Sequence, residues 1–113
     1  EKDIRHTMPR FQGNDFKKNL EKLDQLTLLA AEHDLSVAQI ALAWVIAQGD
    51  HVLAIPGTRF EDRAKENLDA ASAVVNEHVI SKAASILSPE SIIGDRWSET
   101  ILREVDSEQF RFA

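Results

Sequence analysis

The residues with the clearest chemical potential follow a short apolar run. They are Gly57, Thr58, Arg59, Arg63, Glu66 and Asn67, in the stretch Ile55-Pro56-Gly57-Thr58-Arg59-Phe60-Glu61-Asp62-Arg63-Ala64-Lys65-Glu66-Asn67. The order is that of a strand, a tight glycine turn and the start of a helix. Such a junction turns backbone N–H groups and the positive end of a helix towards one point, which suits an anion. Thr58 adds a hydroxyl. Arg59 and Arg63, spaced i, i+4, can share a helix face and offer fixed positive charge on one side. Glu66 and Asn67 lie one turn further on and can hydrogen-bond a group beyond the anion. A purely structural account is also open: Thr58 and Glu61 form a T-x-x-E capping box, and the two arginines pair with nearby acids. Phe60 has two readings, packed under a ligand or under the helix.

The elements that position this stretch can be read from periodicity. Residues 1–13 form an irregular lead-in punctuated by Pro9 and Gly13. From Asn14, a candidate cap, Phe16, Leu20, Leu23, Leu26 and Ala30 fall on one stripe and predict an amphipathic helix. Ser36 and Gln39 form a capping box for a second helix. Its run Ile40–Ala47 is apolar on nearly every face, as in a helix buried on several sides. Gly49 is placed as its left-handed stop. Val52–Gly57 lacks alternation and predicts a strand buried on both faces, of the parallel-sheet type. Helices are expected over residues 61–71 and 76–87, the second with Val79, Ala83 and Ile86 inward. Residues 98–113 read as a candidate disordered tail.

Four helices and one strand do not make a fold. A strand apolar on both faces needs neighbours on either side to satisfy its backbone. Either the strand is misread or the chain is a piece of a larger α/β fold; the second is favoured, and the opening on Glu1 rather than Met fits a processed or partial chain.

Composition narrows the function classes. The 113 residues carry a formal net charge of -6, and the 13 Lys and Arg are scattered, so no nucleic-acid surface is expected. No stretch reaches the roughly 18 apolar residues of a membrane helix. With no cysteine there is no disulfide, thiolate nucleophile or Cys-based zinc site, which fits a reducing, cytoplasmic setting. His6, His33, His51 and His78 are not at metal-ligand spacing and read as surface residues. Adjacent carboxylates such as Glu61 and Asp62 point apart on a helix. No nucleophile elbow, Walker loop or H-E-x-x-H motif is present.

Together, Ile55-Pro56-Gly57-Thr58, Arg63 and Glu66-Asn67 resemble the cofactor motif of the aldo-keto reductases. The likeness extends in order through Pro9–Phe16 with Asn19, Leu35–Val45 followed by Gln48-Gly49-Asp50, and Gly94-Asp95-Arg96-Trp97, covering about residues 5–97. Four ordered blocks are far more specific than a lone glycine turn. The resemblance implies an α/β fold: the C-terminal portion of a (β/α)8 TIM barrel, mostly helical in the part present, with residues 1–113 belonging to that one domain. It implies that Thr58, Arg59 and Arg63 contact the 2′-phosphate of NADP, that Gly57 lets the backbone approach, and that Glu66 and Asn67 hydrogen-bond the adenine. Some branches of the family carry Lys where Gly57 stands, so the phosphate grip here would rest on the arginines.

The family's reaction is NADPH-dependent reduction of aldehydes or ketones, with a Tyr as general acid and Asp, Lys and His beside it. All four lie upstream of this motif in the family, and this chain contains no Tyr. No catalytic residue is therefore assigned, and the chain by itself is expected to be inactive. Two other classes remain: a truncated, non-catalytic relative, and a small helical module binding a partner through Phe16, Leu20 and Leu23.

Overall fold

The computed structural model describes residues 3–73 and 75–103. Five α-helices occur among them: α1 (Gly13–Glu32), α2 (Val37–Ile46), α3 (Glu61–Ser72), α4 (Glu77–Ile86) and the short α5 (Glu99–Leu102). Two 3-10 turns, Ile4–Thr7 and Pro9–Phe11, precede α1. No strand is formed among the described residues. No single described helix is long and apolar enough to cross a membrane. The chain divides into two compact units, Glu1–Glu21 with Ile92–Ala113, and Lys22–Ser91. Of the expected tail, 104–113 lie outside the described residues, while Glu99–Leu102 are helical.

The first unit is held by Asn19. Its Nδ2 donates to the carbonyls of Arg10 (3.1 Å) and Ile93 (2.8 Å), and its Oδ1 accepts from the Ile93 N–H (2.9 Å). The Arg10 N–H donates to the Asp95 carbonyl at 3.3 Å. Two blocks far apart in sequence are thereby brought side by side, and Gly94 makes this possible. Its φ is +86°, and a Cβ there would stand 2.9 Å from the Arg10 Cα. Replacing Asn19 by Ala removes three hydrogen bonds and strands the half-buried groups they satisfied. We expect a loss of about 1–3 kcal/mol in that unit. Faster amide exchange at Ile93, with exchange in residues 26–40 unchanged, is the measurement that checks it.

The second unit has a small core. Leu26, Leu29 and Ala30 of α1, Ile40 of α2, and Val79 and Ala83 of α4 are buried together, with Leu35, Val37, Val75 and Ile86 packed against them. The expected stripe on α1 is thus buried only at its C-terminal end; Phe16, Leu20 and Leu23 stay exposed. Leu29, which the stripe did not include, is among the most buried side chains.

Helix ends account for most of the differences from the sequence reading. α1 begins at Gly13, so Asn14 lies inside its first turn rather than capping it. Just past its last residue, Glu32, Asp34 takes a left-handed φ of 54°, with Leu35 N–H donating to the Ala30 carbonyl at 3.0 Å. An aspartate, tolerant of that conformation, does what a glycine usually does. The Ser36–Gln39 capping box is present, with bonds of 3.1 and 2.9 Å. α2 stops at Ile46 with Ala47 as its cap, so Gly49 is not the helix stop. It instead leaves room for the His51 ring, which a Cβ would meet at 2.8 Å. α2 buries Ile40 and Ala43 but leaves Trp44 and Ile46 open, so it is less enclosed than its composition predicts.

The largest correction concerns residues 52–57, which form no strand and carry no regular secondary structure. Val52 and Ala54 are half-buried, whereas Leu53 and Ile55 are 85% and 95% exposed. One face of the segment is covered and the other is bare. The physical reason is the one that made the isolated strand suspect: the ladder partners that would bury the second face are not among the described residues.

Candidate functional site

All six candidate residues lie in the second unit, on the segment before α3 and the first two turns of α3. The bend falls at Arg59, two residues beyond the expected glycine turn. Thr58 shapes it: its Oγ1 accepts from the Phe60 N–H at 3.1 Å. The N-cap of α3 is Phe60, with extended backbone (φ -107°, ψ 130°) and no side-chain cap. The T-x-x-E capping box is therefore not formed. The first N–H groups of α3 receive no side-chain acceptor, which is the backbone condition for an anion at a helix start.

The arginines also depart from the simplest expectation. Arg59 precedes the N-cap, so it shares no helical face with Arg63. The two converge through Phe60 instead. Each guanidinium carbon lies over the Phe60 ring, 5.1 Å from its centroid. Both are within the range of a cation–π contact. Neither arginine forms an ion pair among the described residues, although Glu61 and Asp62 occupy the first turn. The alternative in which nearby acids neutralise them is not what the structure adopts.

Gly57 has open space around it. A Cβ would meet no heavy atom within 4 Å, and its φ is not left-handed. Nothing in the protein's own packing demands a glycine there. The free space is what close approach of a ligand to the backbone requires. Glu66 and Asn67 are half-buried one turn along α3. Asn67 and Thr58 are the two polar residues bordering an apolar groove of about 520 Å³ between the segment of residues 52–58, α2 and α3. Leu42, Ile46, Leu53 and Leu68 form much of its wall.

These residues thus combine uncapped helix N–H groups, two guanidiniums without an ion pair, a Thr58 hydroxyl hydrogen left to donate and a bare backbone position. That donor set fits a phosphate, with an amide and a carboxylate one turn away for a polar group beside it. Among the described residues no cluster of His, Asp or Glu could hold a metal, and the four histidines are exposed. Phe60 is the functional candidate that sequence reasoning left unplaced. The available signal was an aromatic residue flanked by arginines at i-1 and i+3 across a helix start.

Comparison with known proteins places the sequence in a family. A model of the aldo/keto reductase family matches residues 1–88, and the chain belongs to that family. It is 34% identical over 94 residues to aldo-keto reductase str7 of Strobilurus tenacellus, covering 83% of this chain and 28% of that protein. It is 32% identical over 97 residues to aldo-keto reductase yakc [NADP(+)] of Schizosaccharomyces pombe, covering 86% and 28% respectively. An aldo-keto reductase of Gibberella moniliformis is 34% identical over 106 residues, with 91% of this chain and 31% of that protein covered. The chain therefore spans under a third of the length of these relatives. No solved structure matches it.

Proposed function

We propose that this chain is the C-terminal part of an aldo-keto reductase barrel and supplies the site for the adenosine end of NADP. The observation that carries the reading is the pair of unpaired guanidiniums gathered over Phe60 at the uncapped start of α3. Arg59 and Arg63 bind the 2′-phosphate, with Thr58 and the first N–H groups of α3 completing its ligands. Gly57 gives the backbone clearance, and Glu66 and Asn67 hydrogen-bond the adenine. The bound nucleotide supplies a hydride in this family, and the complete protein reduces an aldehyde or ketone. The residues of this chain hold and orient one end of the cofactor and move no proton. The general acid belongs to the part of the barrel that precedes these residues in the longer relatives.

The test is calorimetric titration of the chain with 2′,5′-ADP and, separately, with 5′-AMP. Tighter binding of the 2′-phosphorylated nucleotide, by about tenfold or more, is expected from charge-assisted contacts to a phosphate. Equal affinity for the two nucleotides, or binding of neither, would sink the assignment. NADPH-linked carbonyl reduction by the chain alone is expected to be absent.

A further inference from the structure

The charges at the start of α3 cancel: Arg59 and Arg63 are matched in number by Glu61 and Asp62. Net charge alone therefore gives an anion no reason to settle there. It is attracted only if the guanidiniums are held on one side of the turn and kept off the carboxylates. Like charges repel, so two guanidiniums do not gather unaided, and the neighbouring carboxylates compete for each of them. The structure nevertheless places both over one aromatic ring at the same distance, 5.1 Å, and pairs neither with an acid among the described residues. The two guanidinium carbons thus lie within twice that distance of each other. The negative faces of the ring attract both cations and hold them against their repulsion.

We infer that Phe60 is the positioning residue of the 2′-phosphate site, and through it a determinant of the preference for 2′-phosphorylated nucleotides. This rests on the nucleotide reading above. Phe60 donates nothing to the phosphate. Its ring, half exposed at 49%, acts as a platform that pre-collects the two forks, so their ordering is not left to the moment of binding.

Two readouts separate this inference from the reading it rests on. The first needs no ligand. In proton NMR the δ-methylene signals of Arg59 and Arg63 should be shifted upfield by the ring and return to ordinary positions in Phe60→Leu. The second is the ratio of affinities for 2′,5′-ADP and 5′-AMP. Phe60→Leu, which keeps bulk and loses the ring, should lower that ratio by on the order of tenfold, while Phe60→Tyr restores it. Unshifted arginine signals would overturn the platform even if the nucleotide preference stood. A full ratio in Phe60→Leu would overturn it as well. Equal loss of both nucleotides would mark a contact with the nucleoside or a folding defect, and would likewise reject the positioning role. Shifted signals with no nucleotide preference in the unsubstituted chain would refute the 2′-phosphate reading and leave the ring geometry standing.

Discussion

Replacing both Arg59 and Arg63 by Ala should abolish the preference for a 2′-phosphate while leaving affinity for 5′-AMP nearly unchanged. Hydrogen bonds to charged groups are worth roughly 1.5–3 kcal/mol each. Removing two forked donors should therefore reduce affinity for 2′,5′-ADP by about two to four powers of ten. The single substitutions should not sum to the double. The two guanidiniums share the Phe60 ring, so losing one relieves the repulsion felt by the other and lets it relocate. Lysine at both positions should recover only part of the loss, because an ammonium is a point charge without the planar fork. Raising the salt concentration should weaken 2′,5′-ADP binding to the unsubstituted chain and have little effect on the double variant. Calorimetry over a salt series measures all three. A double variant that still discriminates by its full factor would move the phosphate site elsewhere, and the uncapped N–H groups alone would then have to hold it.

How much of this was legible beforehand depended on whether a residue's partner lies near it in sequence. The Ser36–Gln39 box, the helix after Phe60 and the inward Val79 and Ala83 follow from short-range rules, and the structure has them. Asp34 as a left-handed helix end was not readable, because most aspartates in such a context are ordinary surface residues. Nor was the pairing of Asn19 with Ile93, 74 positions away, which depends on the path of the whole chain. Within the site, the residue types were legible and their mutual geometry was not. Helical spacing suggested that Arg59 and Arg63 meet along a face, but α3 begins after Arg59, so they meet through an aromatic ring. The same sequence supported Thr58 as a helix cap; its oxygen closes a two-residue turn instead. The strand expected over residues 52–57 is not formed, because its ladder and its enclosure are supplied by other parts of a sheet and not by the segment itself.

That last difference gives the second large expected effect. Leu53 and Ile55 stand exposed on a segment with no ladder partner, beside the apolar groove bordered by Leu42, Ile46 and Leu68. An exposed apolar edge of this kind is a template for pairing with another copy. At micromolar concentrations the isolated chain should therefore elute in size-exclusion chromatography as a concentration-dependent mixture. Burying each of these side chains is worth roughly 1.5–3 kcal/mol, so the double variant Leu53→Lys/Ile55→Lys should weaken self-association by up to about two to four powers of ten. Its helical circular dichroism should be retained, because Val52 and Ala54, not the substituted residues, face the rest of the unit. In a longer protein that completes the barrel the same substitutions should do the opposite. They would set two charges against neighbouring strands and prevent folding, since a buried unpaired ammonium is far costlier than an exposed one. The opposed outcomes separate the two classes of protein. A free-standing helical module gains nothing from an apolar Leu53 and Ile55 and should tolerate lysine in any context. A concentration-independent monomer of the unsubstituted chain would favour that module, and the segment that carries Gly57 and Thr58 would then lack the sheet on which the cofactor reading depends.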